Sequence, residues 1–149
     1  EFVFDCARLI KSRGLKNVVV TNGYINPEPL QALLPYIDAF NIDLKGFTED
    51  FYHDIGGRLS VVKDTIVQAA AVSHVEVTTL VIPGKNDLEE DIEAQAKWLA
   101  QINDEIPLHI SRFFPAYKMT DIPPTPVATL YKLAETAGKY LKYVYIGNV

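Results

Sequence analysis

Short apolar runs rich in valine and isoleucine alternate along this chain with longer stretches whose apolar residues recur at helical spacing. "NVVVTNG" (17–23), "AFNIDLKG" (39–46), "HVEVTTLVIPG" (74–84), "PLHISRF" (107–113) and "KYVYIGN" (142–148) are bounded by Gly, Pro or Asn, which predicts five strands. Residues 2–13 carry apolar positions at Phe4, Ala7, Leu9 and Ile10 and end at Gly14, which predicts the first helix. "NPEPLQALLPYI" offers Asn26 as an N-cap and Pro27 at the first helical position. Ser60 is a candidate cap for a helix over 60–72. A helix over 87–102 opens on Asp87 and a cluster of acids, as a helix N-terminus prefers. A last helix over 125–138 begins with Thr-Pro and stops at Gly138. The longest irregular connection, 114–124, contains Pro115, Pro123 and Pro124.

Strand and helix in alternation imply right-handed β-α-β units and a parallel sheet. The fold class is therefore α/β, with a parallel sheet of about five strands and flanking helices. A section of a (β/α) barrel and an open doubly wound sheet both fit such spacing. No glycine-rich dinucleotide fingerprint follows the strands, which favours the barrel section. The 149 residues allow one compact domain over 1–149.

Composition narrows the function classes. The chain is 48% hydrophobic and 22% charged, which excludes disorder. Its net charge of −5 leaves no basic face for nucleic acid. No apolar run approaches the length that spans a bilayer. A single cysteine, Cys6, rules out a disulfide framework and suits a reducing cytoplasm. It is expected to be a small buried apolar residue of the first helix.

The chemistry of parallel α/β folds gathers at the carboxyl ends of the strands. The first strand ends in Thr21, Asn22 and Gly23, whose polar groups reach the rim. In the second, Asn41, Asp43 and Lys45 share one face and Ile42 and Leu44 the other. A parallel strand covered on both sides should be apolar on both. A polar face therefore points into a barrel mouth or forms a sealing ion pair, and a buried pair costs desolvation. A site is the better explanation: Asp43 accepts from ribose or amine groups, and Lys45 holds a carboxylate. In the third strand Val75, Val77, Thr79 and Val81 oppose Glu76, Thr78, Leu80 and Ile82. Thr78 is a candidate site lining, and "PGKND" follows at the ligand end, with Asp87 as a helix cap. In the fourth, His109, Ser111 and Phe113 oppose Leu108, Ile110 and Arg112. Ser111 and Arg112 lie nearest the functional end, whereas His109 suits a satisfied core position as well as a site. Tyr117 and Lys118 lie in the long loop, placed to cover a ligand. There is no nucleophile elbow, P-loop or zincin pair, and His53, His74 and His109 lack metal-ligand spacing.

Taken in order, "VVVTNGYINPEPL", "FNIDLKGFTEDFY", "VEVTTLVIPGKNDLEED" and "HISRFFPAYKMTDIPPTP…YVYIGNV" resemble radical S-adenosylmethionine (SAM) enzymes of the pyruvate formate-lyase-activating type. The AmmeMemoRadiSam-system branch matches best. The resemblance runs over nearly the whole chain. It implies the C-terminal section of a partial (β/α)6 TIM-like barrel. It also implies a 4Fe-4S cluster held by a CxxxCxxC loop, with SAM across the carboxyl ends of the strands. Reductive cleavage of SAM would give a 5′-deoxyadenosyl radical that abstracts hydrogen, the work of an oxidoreductase. Residue by residue, Asp43, Leu44 and Lys45 match the family's SAM-contacting stretch, and Thr21, Asn22 and Gly23 its Thr-Asn-Gly. Thr78 stands where some relatives carry a SAM-contacting arginine, Phe114 where some carry a histidine, and Val20 where activating enzymes carry a cation-binding aspartate.

Neither CxxxCxxC nor the Gly-Gly-Glu segment of the family occurs. The expectation is a C-terminal fragment that supplies part of the SAM site, binds no metal itself and is inactive alone. An exposed strand edge is expected to make it dimerise. The substrate would be a small molecule or a glycyl-radical protein, with no nucleic acid or membrane partner. Two other readings remain: an aldolase-like barrel with Lys45 as Schiff-base lysine and Asp43 as proton shuttle, and a non-catalytic α/β binding module.

Overall fold

A computed structural model describes residues 1–149. Helices and strands alternate through most of the chain: α1 (Phe2–Ser12), β1 (Val18–Thr21), α2 (Pro27–Leu33), β2 (Ala39–Asp43), α3 (Glu49–Asp54), α4 (Leu59–Ala70), β3 (His74–Val81), α5 (Glu89–Ile102), β4 (Leu108–Arg112), α6 (Val127–Ala137) and β5 (Val144–Gly147). A 3-10 turn over Leu34–Tyr36 extends α2.

The five strands form one sheet in the order β1-β2-β3-β4-β5, and every pair is parallel. Sequential order is what separates a barrel section from a doubly wound sheet, in which the order reverses at a switch point. With each crossover right-handed, every helix falls on the same face. The core records this. Ala7 of α1, Leu33 of α2, Ile66 of α4, Leu99 of α5 and Leu133 of α6 join Phe40, Ile42, Val77 and Ile110 of the strands in a single apolar cluster. The opposite, concave face has no helix on it. There the strands show Asn41, Asp43, Glu76, Thr78, His109 and Ser111, all only partly buried. One sheet thus has a dry convex side and a polar concave side, set by alternation along each strand.

Local chemistry decides the ends of the elements. Gly14, at φ +72°, follows α1 in the left-handed region that only glycine adopts cheaply. Asn26 occupies the N-cap of α2, and Pro27 follows it. Three expectations are corrected. First, α3 was absent from the sequence reading; Thr48 caps it, its Oγ1 accepting from the Phe51 amide at 3.2 Å. Second, α4 begins before Ser60, at Leu59, whose amide donates to Glu49 Oε2 at 3.3 Å, so a carboxylate from α3 does the capping. Third, Asp87 does not cap α5. Its Oδ1 accepts from the Gly84 amide at 3.0 Å and closes the turn ahead of the helix.

Candidate functional site

The carboxyl ends of β1 to β4 form a rim, and the side chains that meet there come from positions far apart in sequence. β2 leaves the sheet after Asp43. The Leu44 amide donates to the Thr78 carbonyl at 3.0 Å, a last ladder bond. Beyond that point the chain diverges from β3, which runs on to Val81, and side chains take over. The Lys45 amide donates to the Tyr52 hydroxyl at 3.1 Å. The Lys45 carbonyl accepts from Asn86 Nδ2 at 2.6 Å. Asn86 is buried, donates also to the Leu80 carbonyl at 2.8 Å, and accepts from the Ile82 amide at 2.7 Å. It therefore pins the ends of β2 and β3 to one another. Thr125 does the same between β3 and β4: its hydroxyl donates to the Val81 carbonyl at 2.6 Å and accepts from the Phe113 amide at 3.1 Å.

On this frame Lys45 Nζ donates to Asp43 Oδ2 at 2.8 Å. The pair is half-exposed, 43% for Lys45 and 35% for Asp43, so it is not a buried seal. A pair in this setting contributes little to stability. Its groups remain within reach of a ligand on the concave side. Beside Asp43 in register stands Thr78, whose hydroxyl donates to Asn41 Oδ1 at 2.9 Å. Asn22 and Lys45 line a common cleft of about 250 Å³, together with Tyr24, Tyr52 and Gly57.

The structure thus brings Asp43, Lys45, Asn22 and Thr78 to one corner of the rim. Leu44 is different: its side chain is fully buried in the convex core, and its carbonyl accepts from the Thr79 hydroxyl at 2.8 Å. What it gives the rim is the spacing that puts Asp43 and Lys45 on the same side. Thr21 pairs with Ile42 and shares its convex parity, and its hydroxyl accepts from the Gly23 amide at 3.1 Å. It shapes the turn rather than facing the concave side. Ser111 faces the concave side two strands from Asp43 and accepts from Asn148 Nδ2 at 3.2 Å.

Two features of the site were not singled out from the sequence. One is the trio Tyr52, Asn86 and Thr125, whose contacts cross loops. The other is Glu76, at the centre of the concave face. Its Oε2 lies 2.7 Å from His109 Nε2 and its Oε1 3.2 Å from His74 Nε2. A carboxylate only accepts, so His109 Nε2 is the donor of this pair. The His109 ring stacks on Tyr145 at 5.4 Å. The hydrogen bonds from His74 and then His109 hold the Glu76 carboxyl below its usual value of 4.5. The sign follows. The stabilisation from ionised Glu76 is complete above that usual value and is lost as pH falls through its lower folded value. Glu76→Gln therefore makes stability less sensitive to acid, measured as urea midpoints from about pH 6 to about pH 3. Identical pH slopes for the two proteins would contradict the assignment.

A larger cleft, about 740 Å³, lies at the opposite, amino ends of the strands, lined by Lys11, Asp38 and His74 among others. Polar groups around it are largely spent on one another. Asp38 takes Lys16 Nζ at 2.8 Å and the Asn17 amide at 2.9 Å. Asn17 Nδ2 donates to the Ala7 and Tyr36 carbonyls at 2.8 and 3.0 Å. This is the stabilising end of a parallel barrel, not the reactive one.

Comparison with known proteins gives the family and the fold. An uncharacterized protein of Methanocaldococcus jannaschii is 44% identical over 153 residues, covering all of this chain and 45% of its own length. An isethionate sulfite-lyase activating enzyme of Oleidesulfovibrio alaskensis is 28% identical over 111 residues, covering 72% of this chain and 36% of its own. The chain thus spans less than half the length of these relatives. Among solved structures, a domain of a pyruvate-formate lyase-activating enzyme from Bacteroides vulgatus superposes with a TM-score of 0.85. It has 16% identity and covers 99% of this chain and 90% of that one. The match shows the same partial-barrel fold. The radical SAM superfamily profile matches residues 1–99, two thirds of the sequence, which includes β1, β2, β3 and the whole Asp43–Lys45 corner. The chain belongs to the radical SAM superfamily.

Proposed function

We propose that this chain forms part of the SAM-binding face of a radical SAM enzyme of the activating type. The observation that carries the proposal is the Asp43–Lys45 pair, half-exposed on the concave face at the carboxyl end of β2, in a chain of this superfamily.

The donor set fits SAM. Asp43 accepts hydrogen bonds from ribose hydroxyls or from the ammonium of the amino-acid moiety. Lys45 supplies the cation for its carboxylate, and Asn22 and Thr78 add neutral polar groups on either side of the pair. The residue set does not fit a 4Fe-4S cluster. Cys6 is the one cysteine, and no trio of His, Cys, Asp and Glu is placed to hold a metal. No step is therefore assigned to cluster ligands of this chain. In the complete protein a reduced cluster would supply the reductive cleavage of SAM; what this chain would contribute is the hold on SAM through Asp43, Lys45, Asn22 and Thr78.

The activating-enzyme relative makes a glycyl-radical protein the partner class to test first. The Schiff-base reading of Lys45 is not favoured. A Schiff-base lysine is activated by desolvation or by a neighbouring cation, whereas Lys45 is half-exposed beside a carboxylate.

The test uses the complete protein that carries this chain, reconstituted with iron and sulfide and reduced without oxygen. Release of 5′-deoxyadenosine and methionine from SAM is expected. Turnover of SAM to neither product, together with borohydride trapping of a carbonyl substrate on Lys45, would move the assignment to the lysine-based barrel.

The 149-residue chain on its own presents β1 as a free edge, with Val18 and Val20 65% and 77% exposed on its concave side. Such an edge pairs with another copy. Sedimentation at micromolar concentration is expected to show a dimer or larger species, and a clean monomer would count against this.

A further inference from the structure

The structure assigns a positioning role to Tyr52 and Asn86: together they hold the Lys45 backbone and so aim its ammonium at the ligand. This deepens the proposed SAM site and rests on that reading.

Lys45 lies past the last ladder bond of β2, where a chain is ordinarily free to turn. Both of its peptide groups are nevertheless held, and each by a side chain. The Tyr52 hydroxyl accepts its N–H at 3.1 Å and Asn86 Nδ2 donates to its C=O at 2.6 Å. The two holders come from different elements, one from α3 and one from the loop after β3. Both are 3% exposed. They satisfy the two backbone groups that no ladder bond reaches. With its backbone so held, Lys45 extends its ammonium to Asp43 at 2.8 Å. Held this way, Lys45 meets a ligand with its backbone already ordered, so less entropy is lost on binding.

The chemistry of the holders suits a fixed role. Burial pushes the Tyr52 phenol up to about 12, with the Lys45 amide bond opposing, so it stays a neutral acceptor over any ordinary pH. Asn86 uses one amide to serve three backbone groups: it donates to Lys45 and Leu80 and accepts from Ile82. Aspartate in its place would keep the bond from Ile82 and set a carboxylate against two carbonyls.

The test measures SAM affinity of the complete, reconstituted protein by equilibrium dialysis, for Tyr52→Phe, Lys45→Ala and the double variant. Tyr52→Phe removes one hydroxyl and leaves the ring in the core. It is expected to weaken SAM binding roughly three- to tenfold, the range for one neutral hydrogen bond. In the Lys45→Ala background the same change is expected to be silent, because the hydroxyl acts through Lys45. A structural role alone would add equally in both backgrounds. Amide hydrogen exchange on the complete protein gives a second readout: Lys45 exchanges faster in Tyr52→Phe while the amides of β3 do not. Equal loss of affinity in both backgrounds, or no loss in either, would overturn the inference. If Lys45→Ala itself leaves SAM binding unchanged, the reading of the site fails instead. Asn86→Asp serves as confirmation, and Tyr52→Phe decides the matter should that variant not fold.

Discussion

Lys45→Ala weakens SAM binding by the complete protein roughly ten- to a hundredfold. That figure follows from losing a charge-assisted hydrogen bond, about 1.5–3 kcal/mol. On the proposed placement Lys45 is the cation of the concave corner, and its partner Asp43 lies 2.8 Å away. Asp43→Asn keeps the shape and removes the charge, and is expected to weaken binding by a similar factor. The two effects should not add, because each variant breaks the same pair. Stability tells the other half. A half-exposed ion pair contributes about 0–1 kcal/mol, so neither change should move the unfolding midpoint appreciably. Lost stability with unchanged affinity would mean that the pair is structural and the proposed placement wrong. Equilibrium dialysis and urea titration on the same samples separate the outcomes.

Gly23→Ala destabilises the chain by roughly 2–5 kcal/mol. Gly23 turns the chain from β1 into the rim at φ +69°, a conformation that costs an L-residue about 1–2 kcal/mol. There is also no room. An added Cβ would lie 2.8 Å from Ile42 Cγ2 and 3.0 Å from Val62 Cγ1, both in the core. The Gly23 carbonyl accepts from the buried Thr65 hydroxyl at 2.8 Å, so the turn cannot move without loosening α4. Gly14→Ala is the control: its φ is +72°, but apart from its own chain neighbours nothing lies within 4 Å of the added carbon. It should show the backbone cost alone. Urea unfolding of both variants measures the difference, and equal losses would contradict the crowding at Gly23.

Much of the frame was legible in the amino-acid sequence because its signals are local. β-branched runs between turn residues mark all five strands, and alternation puts Asp43 and Lys45 on one face without any knowledge of neighbours. The same parity put Glu76 and Thr78 opposite Val75 and Val77. What escaped depends on distance. Asn86 reaches Lys45 across 41 positions and Thr125 reaches Val81 across 44, and no periodicity announces which loop side chain will meet which strand end. Pairing His109 with Glu76 needs the register of β3 against β4, which tertiary packing sets. α3 is only six residues long, too short to show a helical stripe. Its signal was nonetheless present: a threonine followed at once by Glu49 and Asp50, a cap and two acids in a first turn. That helix carries Tyr52, so missing it also hid one of the groups that hold Lys45. Leu44 shows the converse. A motif matched as a unit does not say which of its side chains faces the ligand, and burial answers that at once.

The decisive measurement is the EPR spectrum of the complete protein, reconstituted with iron and sulfide, reduced under anaerobic conditions, and recorded with and without SAM. A 4Fe-4S signal that shifts when SAM is added, with Lys45→Ala needing a much higher SAM concentration for the same shift, is the predicted result. A cluster signal indifferent to SAM, or no cluster at all, would contradict the placement of SAM on the concave rim of this chain.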